Sequence, residues 1–264
     1  MADSWHETDR VTLRTLREHV KAGHRFAMLT CYDATTARWL WRGGVRTLLV
    51  GDTAAQMILG HETTLPVSLD FMLELTAAVR RGAPGALVIG DLPFSAAATD
   101  DAILTAGSRF LSEGGADLVK IECDAGHAEV VEHLNRVGVP VVCHLGSRPQ
   151  SVRMTGGYRA AGRDESSRQA IIDGARTLVD AGAAAILIEA VDETTTDAVV
   201  AAVGDDVPVI GCGAGPACHG EVVVLHDLLG LSDWQPPFAP PAAEFGPQLE
   251  EAARNWARHV EEDE

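Results

Sequence analysis

The sequence predicts an α/β fold, a closed (β/α)8 TIM barrel with an N-terminal helix and a C-terminal helical appendage. Three observations carry that expectation. Eight short β-branched runs alternate with amphipathic stretches along the 264 residues, the cadence of a parallel sheet wound with helices. The runs are mostly apolar instead of alternating with polar residues, as strands buried on both faces must be. No GxGxxG turn opens a helix after the first strand, so an open dinucleotide-binding sheet lacks its signature and a count of eight favours closure.

Taken in order, the spacing predicts a helix over 11–21 and a first strand over 26–30. Five passages then repeat one pattern, a glycine after an amphipathic stretch followed by a strand: at 47–52, 87–91, 118–122, 139–144 and 185–189. A glycine just past a helix end accepts the left-handed conformation that closes the helix. Runs at 207–210 and 222–225 complete the set of strands. Between them, 68–81 opens on a capping serine and places Phe71, Met72, Leu75, Ala78 and Val79 at helical spacing. The segment 164–180 does the same with Ala170, Ile171, Ala175, Leu178 and Val179. The expected organisation is one domain over 1–264, with a barrel core at 24–231, then a Pro-rich link and a helix within 232–264.

Composition excludes several function classes. The 38 acidic against 21 basic side chains give a formal charge of -17, which repels phosphodiester backbones and anionic lipid, so neither nucleic acid nor membrane is an expected partner. No apolar run approaches the length of a membrane span. The polar start over 1–10 does not read as a targeting peptide, and a cytoplasmic location is expected. The cysteines Cys31, Cys123, Cys143, Cys212 and Cys218 form no CxxC pair and read as small buried residues of a reduced protein. Lysine is rare: Lys21 and Lys120 stand alone among the basic residues, the rest being arginine.

In such barrels the chemistry sits at the carboxyl ends of the strands. There the sequence places Asp52, Asp91, Lys120 with Glu122, His144, Glu189, the glycine run 211–215, and His226 with Asp227. Lys120 and Glu122 are two apart and share a strand face. Asp52, Asp91 and Glu122 form a hard, oxygen-rich set suited to Mg2+. A 2-oxo acid chelating that ion through its carboxylate and keto oxygens would lose a C3 proton to a nearby base, the enolate being stabilised by the charge withdrawn. Lys120, an ammonium in an apolar strand, needs those acids as partners. It either binds a substrate carboxylate or forms a Schiff base, and a metal favours the first. His144 reads as a second base, a substrate hydrogen-bond donor, or a satisfied core histidine. The glycine run reads as a phosphate cradle or a packed turn. The segment 156–163 reads as a closing flap or a surface loop.

Together these residues resemble the ketopantoate hydroxymethyltransferase family. The resemblance rests on Val50-Gly51-Asp52, Gly60-His61, Thr64-Leu65-Pro66-Val67, Asp91-Leu92-Pro93-Phe94, Val119-Lys120-Ile121-Glu122 and His144-Leu145-Gly146. It continues through Pro149-Gln150-Ser151-Val152, Gly156-Gly157-Tyr158, Gly162-Arg163, Ile188-Glu189, Gly213-Ala214-Gly215 and His226-Asp227. The resemblance implies a barrel of the phosphoenolpyruvate/pyruvate superfamily that moves a one-carbon unit from 5,10-methylenetetrahydrofolate to 3-methyl-2-oxobutanoate, giving 2-dehydropantoate for pantothenate and coenzyme A. It implies Asp52 and Asp91 as Mg2+ ligands completed by Glu122, and Asp52, Thr53, Asp91 and Lys120 as holders of the 2-oxo acid. Glu189 is implied as the catalytic acid/base with His144 in the same pocket, and the assembly as a cytoplasmic homo-oligomer, typically a homodecamer.

The chain departs from the family pattern at several points. Thr53 stands for a usual serine, Cys123-Asp124 for Gly-Gly, Ser147-Arg148 for Leu-Thr, and Ala190-Val191-Asp192 follows Glu189 where a proline is common. His219-Gly220-Glu221 replaces Asp-Gly-Gln, and the segment 236–241 lacks lysines around its phenylalanine. The metal core is intact. Alternatives at this point are a paralogue using another 2-oxo acid or an aldehyde donor, a carbon–carbon lyase of the same superfamily, and a non-catalytic barrel.

Overall fold

The computed structural model describes residues 10–262, so the start read as free of a targeting signal falls almost wholly outside the described residues. Eight parallel strands close into a barrel in sequence order: β1 (Phe26–Thr30), β2 (Thr47–Val50), β3 (Leu87–Asp91), β4 (Leu118–Glu122), β5 (Val141–Gly146), β6 (Ala185–Glu189), β7 (Val209–Cys212) and β8 (Gly220–Val223). The helices are α1 (Leu13–Lys21), α2 (Ala34–Arg42), α3 (Ala54–Met57), α4 (Leu69–Gly82), α5 (Asp100–Ser112) and α6 (Ala128–Arg136). They continue with α7 (Val152–Thr155), α8 (Glu165–Asp180), α9 (Glu193–Val203), α10 (Leu225–Leu228) and α11 (Phe245–Glu262). The chain divides into two compact units with the boundary after Val222; the second holds α10, the Pro-rich link and α11, an amphipathic helix exposing Leu249, Trp256 and Val260.

The helix starts follow from side-chain chemistry. Thr12, Asp33, Ser68, Thr99, Asp164 and Asp192 each precede a helix in extended backbone and accept a bond from an amide of its first turn. Ser68 and Asp164 cap α4 and α8 as the sequence predicts.

Two apolar layers result. Phe26, Met28, Leu49, Leu87, Ile89, Leu118, Val142, Ala185, Leu187, Ile210 and Val222 fill the barrel interior. Val11, Leu16 and Val20, at or within α1, join that cluster, while Val11 donates to Gly85 O and Arg17 to Ala184 O, below β3 and β6. The N-terminal helix therefore plugs the end of the barrel opposite the strand carboxyl ends. The other strand face packs outward with Val88, Val119, Ile121, Cys143, Ile186 and Val209 against the helices.

The last strand is a correction. The apolar run at 222–225 predicts β8 there, ending at His226 and Asp227, but the strand begins at Gly220 and stops at Val223, and those two residues lie in α10. Gly220 is invisible to a hydrophobic pattern, yet the closure depends on it: a Cβ there would lie 2.3 Å from the Phe26 ring. Gly82 has a similar role outside the barrel, where a Cβ would meet the Ala34 carbonyl oxygen at 2.2 Å. Because that neighbour is backbone, Gly82→Ala should force α2 and α4 apart and cost about 1–3 kcal/mol, read as a lowered midpoint in denaturant titration with an unchanged slope.

Candidate functional site

Strand periodicity builds the barrel mouth. Side chains two apart share a face, so the interior series Ile89, Leu118, Val142 and Leu187 continues one step toward the carboxyl ends as Asp91, Lys120, His144 and Glu189. Glu122 lies one step beyond Lys120. The register sets Asp91 beside Lys120 and Glu122 beside His144 on neighbouring strands. Asp52 follows the end of β2, where its amide donates to Asp91 Oδ2 at 2.9 Å. Lys120 Nζ donates to the other Asp91 oxygen at 2.6 Å. Asp52, Asp91, Lys120 and His144 are all buried, and Glu122 and Glu189 half-buried.

The expected residues thus come together, and the neighbourhood adds others. Gln150, in the turn after β5, donates its side-chain amide to Asp52 Oδ2 and to Leu92 O, each at 2.9 Å. Its backbone amide points between the Glu122 oxygens, 3.1 Å from both. The Tyr32 hydroxyl lies 2.7 Å from Thr53 Oγ1, so the threonine at a usual serine position has its oxygen fixed. Tyr158, in the segment read as a flap, lies near enough to Asp52, Glu189 and Glu122 for their charge to raise its phenol, though burial raises it more. Sequence reasoning assigned none of these three. A faint signal existed for Tyr32, which continues the two-residue step from Met28 and Thr30; Gln150 and Tyr158 sit on loops, where no periodicity applies.

Electrostatics follows from four carboxylates around one lysine in a largely buried cleft. Burial raises Glu122 to about 8 and Glu189 to about 7, with Asp52 and Asp91 adding to the effect and Lys120 opposing it. Burial also raises Asp91, against the pull of Lys120. For Lys120, burial alone favours the neutral amine, yet Asp91, Asp52 and Glu122 outweigh it, and the ammonium is held above its ordinary range. Burial, then the charges of Lys120 and Arg148, drive His144 well below the usual imidazole range. It is therefore neutral at physiological pH. Among the described residues neither ring nitrogen of His144 has a partner in good hydrogen-bond geometry; the Ser147 backbone lies near enough to favour the charged ring slightly, and Nε2 stands 3.5 Å from Glu189 Oε2. An unsatisfied buried imidazole is costly and marks a place where a ligand would complete the network.

The end of β6 is held in an uncommon backbone. Ala190 has φ 50, the sole non-glycine in the left-handed region among the described residues. Its amide donates to Cys212 O at 2.9 Å and its carbonyl accepts from Ala161 at 3.0 Å. Gly146 passes so close that a Cβ would lie 2.4 Å from Glu189 O. Gly146→Ala should consequently displace Glu189, lowering both melting temperature and activity.

Asp52 and Asp91 are oxygen donors of the kind Mg2+ takes, joined through the Asp52 amide and Asp91 Oδ2. Among the described residues no group of three or more acidic, histidine or cysteine side chains is arranged to hold a metal ion, the expected trio of Asp52, Asp91 and Glu122 included, so a cation here would rest on one or two carboxylates, as Mg2+ commonly does, with its other positions kept for water and substrate oxygens. Asp52 spends one oxygen on Gln150 and keeps Oδ1 out of that bond. The glycine run gains no such support: Gly211 lies within β7, with the Cys218 sulfur 2.9 Å from where its Cβ would stand, which is tight packing.

A (β/α)8 barrel with acids and a buried lysine converging at the strand carboxyl ends defines an enzyme of the barrel class. A family model described as ketopantoate hydroxymethyltransferase matches residues 10–264. A 3-methyl-2-oxobutanoate hydroxymethyltransferase of Mycolicibacterium paratuberculosis is 41% identical over 253 residues, covering 95% of this chain and 88% of that one. One from Pseudomonas entomophila is 46% identical over 222 residues, 84% of this chain and 82% of that one. The chain belongs to the ketopantoate hydroxymethyltransferase family. Solved structures similar in fold include 2,3-dimethylmalate lyase, a PEP mutase/isocitrate lyase superfamily member, at TM-score 0.62 and 17% identity over 96% of this chain and 87% of that one. Another is phosphonopyruvate hydrolase in complex with oxalate and Mg++, at TM-score 0.65 and 12% identity over 96% and 88%. No helix among the described residues is long and apolar enough to cross a membrane.

Proposed function

We propose that the chain transfers a hydroxymethyl group to 3-methyl-2-oxobutanoate, giving 2-dehydropantoate, with 5,10-methylenetetrahydrofolate as donor and Glu189 as the base. The observation that carries this reading is Glu189 itself: a carboxylate on the interior layer of the mouth, beside a neutral histidine, with its proton affinity raised to about 7. A base is most effective when its pKa lies near the working pH.

Asp52 and Asp91 would hold Mg2+, with Glu122 completing its surroundings. When bound, the ion withdraws charge from the substrate's keto carbonyl and makes the C3 proton more acidic. Lys120, tied to Asp91, presents its ammonium to the substrate carboxylate. Thr53 Oγ1, fixed by Tyr32, borders the same end of the pocket, and its extra methyl narrows it. Glu189 removes the C3 proton; water releases the folate's methylene carbon at the aldehyde level, leaving tetrahydrofolate, and the C3 carbanion adds to that carbon, the new alkoxide taking a proton to become the hydroxyl. His144, neutral and without a partner in good geometry among the described residues, gives or accepts a hydrogen bond at the reacting oxygens. The resemblance extends the proposal to a cytoplasmic homodecamer.

Chelation tests the metal: turnover should fall to background in EDTA and return on adding Mg2+. Turnover unchanged by the chelator would remove the ion from the reaction. Profiling several 2-oxo acids with and without the folate tests acceptor and donor, and separates this reading from a paralogue or a lyase.

A further inference from the structure

We propose that Gln150 is a positioning residue, braced by the Arg148–Asp124 ion pair, that fixes Asp52 and Glu122 in the orientation in which they receive a divalent cation. The inference rests on the metal reading above and concerns what prepares that site. One residue reaches three parts of the mouth. Its side-chain nitrogen bonds Asp52 Oδ2 and the Leu92 carbonyl just past β3, and its main-chain nitrogen bonds both Glu122 oxygens at the end of β4. A carboxylate held through one oxygen loses its rotational freedom and presents the other in a fixed direction. Outer groups that orient metal ligands in this way commonly contribute 10–100-fold in metal affinity.

The brace lies at the rim of the mouth. Arg148 Nη1 donates to Asp124 Oδ2 at 3.0 Å, so the loops after β4 and β5 are joined by an ion pair two residues past Glu122 and two residues before Gln150. Those positions are the ones where Cys123-Asp124 and Ser147-Arg148 depart from the family pattern. Asp124 also accepts from Gly126 N through Oδ1, which lies 3.0 Å from His127 Nδ1, and its Oδ2 is the oxygen that reaches Arg148 on the other loop. The pair is partly exposed, with 31% and 55% of the side chains accessible, so its contribution lies in setting the loop and not in raw Coulomb energy.

The test is direct titration of the full chain with Mg2+ in a calorimeter, without substrate. Gln150→Met keeps length and bulk but removes both side-chain donations; its Mg2+ affinity should fall about 10–100-fold while its melting temperature stays near wild type. In turnover assays the Mg2+ concentration for half-maximal rate should rise by the same factor, with kcat largely recovered at saturating Mg2+. A merely structural role predicts the reverse, a lowered melting temperature and kcat with no shift in Mg2+ requirement. Arg148→Ala, a rim change that leaves every cation-facing group in place, should shift affinity in the same direction by less. Unchanged affinity in Gln150→Met, with wild type binding normally, overturns this inference alone, and unchanged affinity in Arg148→Ala overturns the brace. A wild-type chain that binds no Mg2+ overturns the metal reading and this inference with it.

Discussion

Glu189→Gln should abolish exchange of the C3 hydrogen of 3-methyl-2-oxobutanoate with deuterium from solvent, by about 10²–10⁴-fold. The amide is nearly the same size, so the fold and the left-handed Ala190 turn remain, and only the proton acceptor is lost. Exchange isolates this step because it requires the base and no one-carbon donor. Full exchange in the variant would sink the assignment of Glu189. The pH dependence follows with a definite sign. A carboxyl raised to about 7 by burial is largely protonated, and idle as a base, in mildly acid solution. Exchange should therefore rise with pH through about 7 and level off above it. Asp52 and Asp91 contribute to that rise in proton affinity, so a cation placed between them counters their charge. Raising Mg2+ from subsaturating to saturating should move the acid limb of the profile to lower pH. A profile flat from pH 5 to 9 would mean that another group takes the proton.

The barrel was legible because each of its regularities is written in the residues. Glycine before an apolar run marks a helix end and a strand start, and all five strands read from that pattern begin within two residues of where it puts them. β8 shifted because Gly220, chosen for its lack of a side chain against Phe26, carries no apolar signal. The acids and lysine of the mouth were legible for the same reason as the strands: Asp91, Lys120, His144 and Glu189 continue the interior face of apolar runs. Gln150 and Tyr158 belong to loops, where chain geometry brings residues together without a period, and Tyr32 carried only the faint step from Met28 and Thr30. The partnership of Asp124 with Arg148 was hidden too; read singly, each was a departure from a family pattern, and only their proximity shows them as one feature.

Lys120→Met should abolish turnover and destabilise the fold, and the two losses should be separable. The ammonium lies 2.6 Å from Asp91 Oδ1 with both groups buried. Removing one partner of such a pair leaves an uncompensated charge and typically costs about 3–5 kcal/mol. Asp91, already raised by burial, would escape that cost by taking up a proton, and would then be lost as a cation ligand. The double variant Lys120→Met with Asp91→Asn should recover most of the stability in denaturant titration and none of the activity. Arginine is no substitute: its planar, longer head has no room at a site shaped around a point charge. The same electrostatics decides between the two roles open to this lysine. A Schiff base needs a neutral amine, whereas Asp91, Asp52 and Glu122 together hold Lys120 protonated despite its burial. Borohydride added to enzyme and 2-oxo acid should therefore trap no adduct, and mass spectrometry should find the chain unmodified. A stable adduct at Lys120 would overturn the carboxylate-binding role and replace the metal-assisted route with a covalent one.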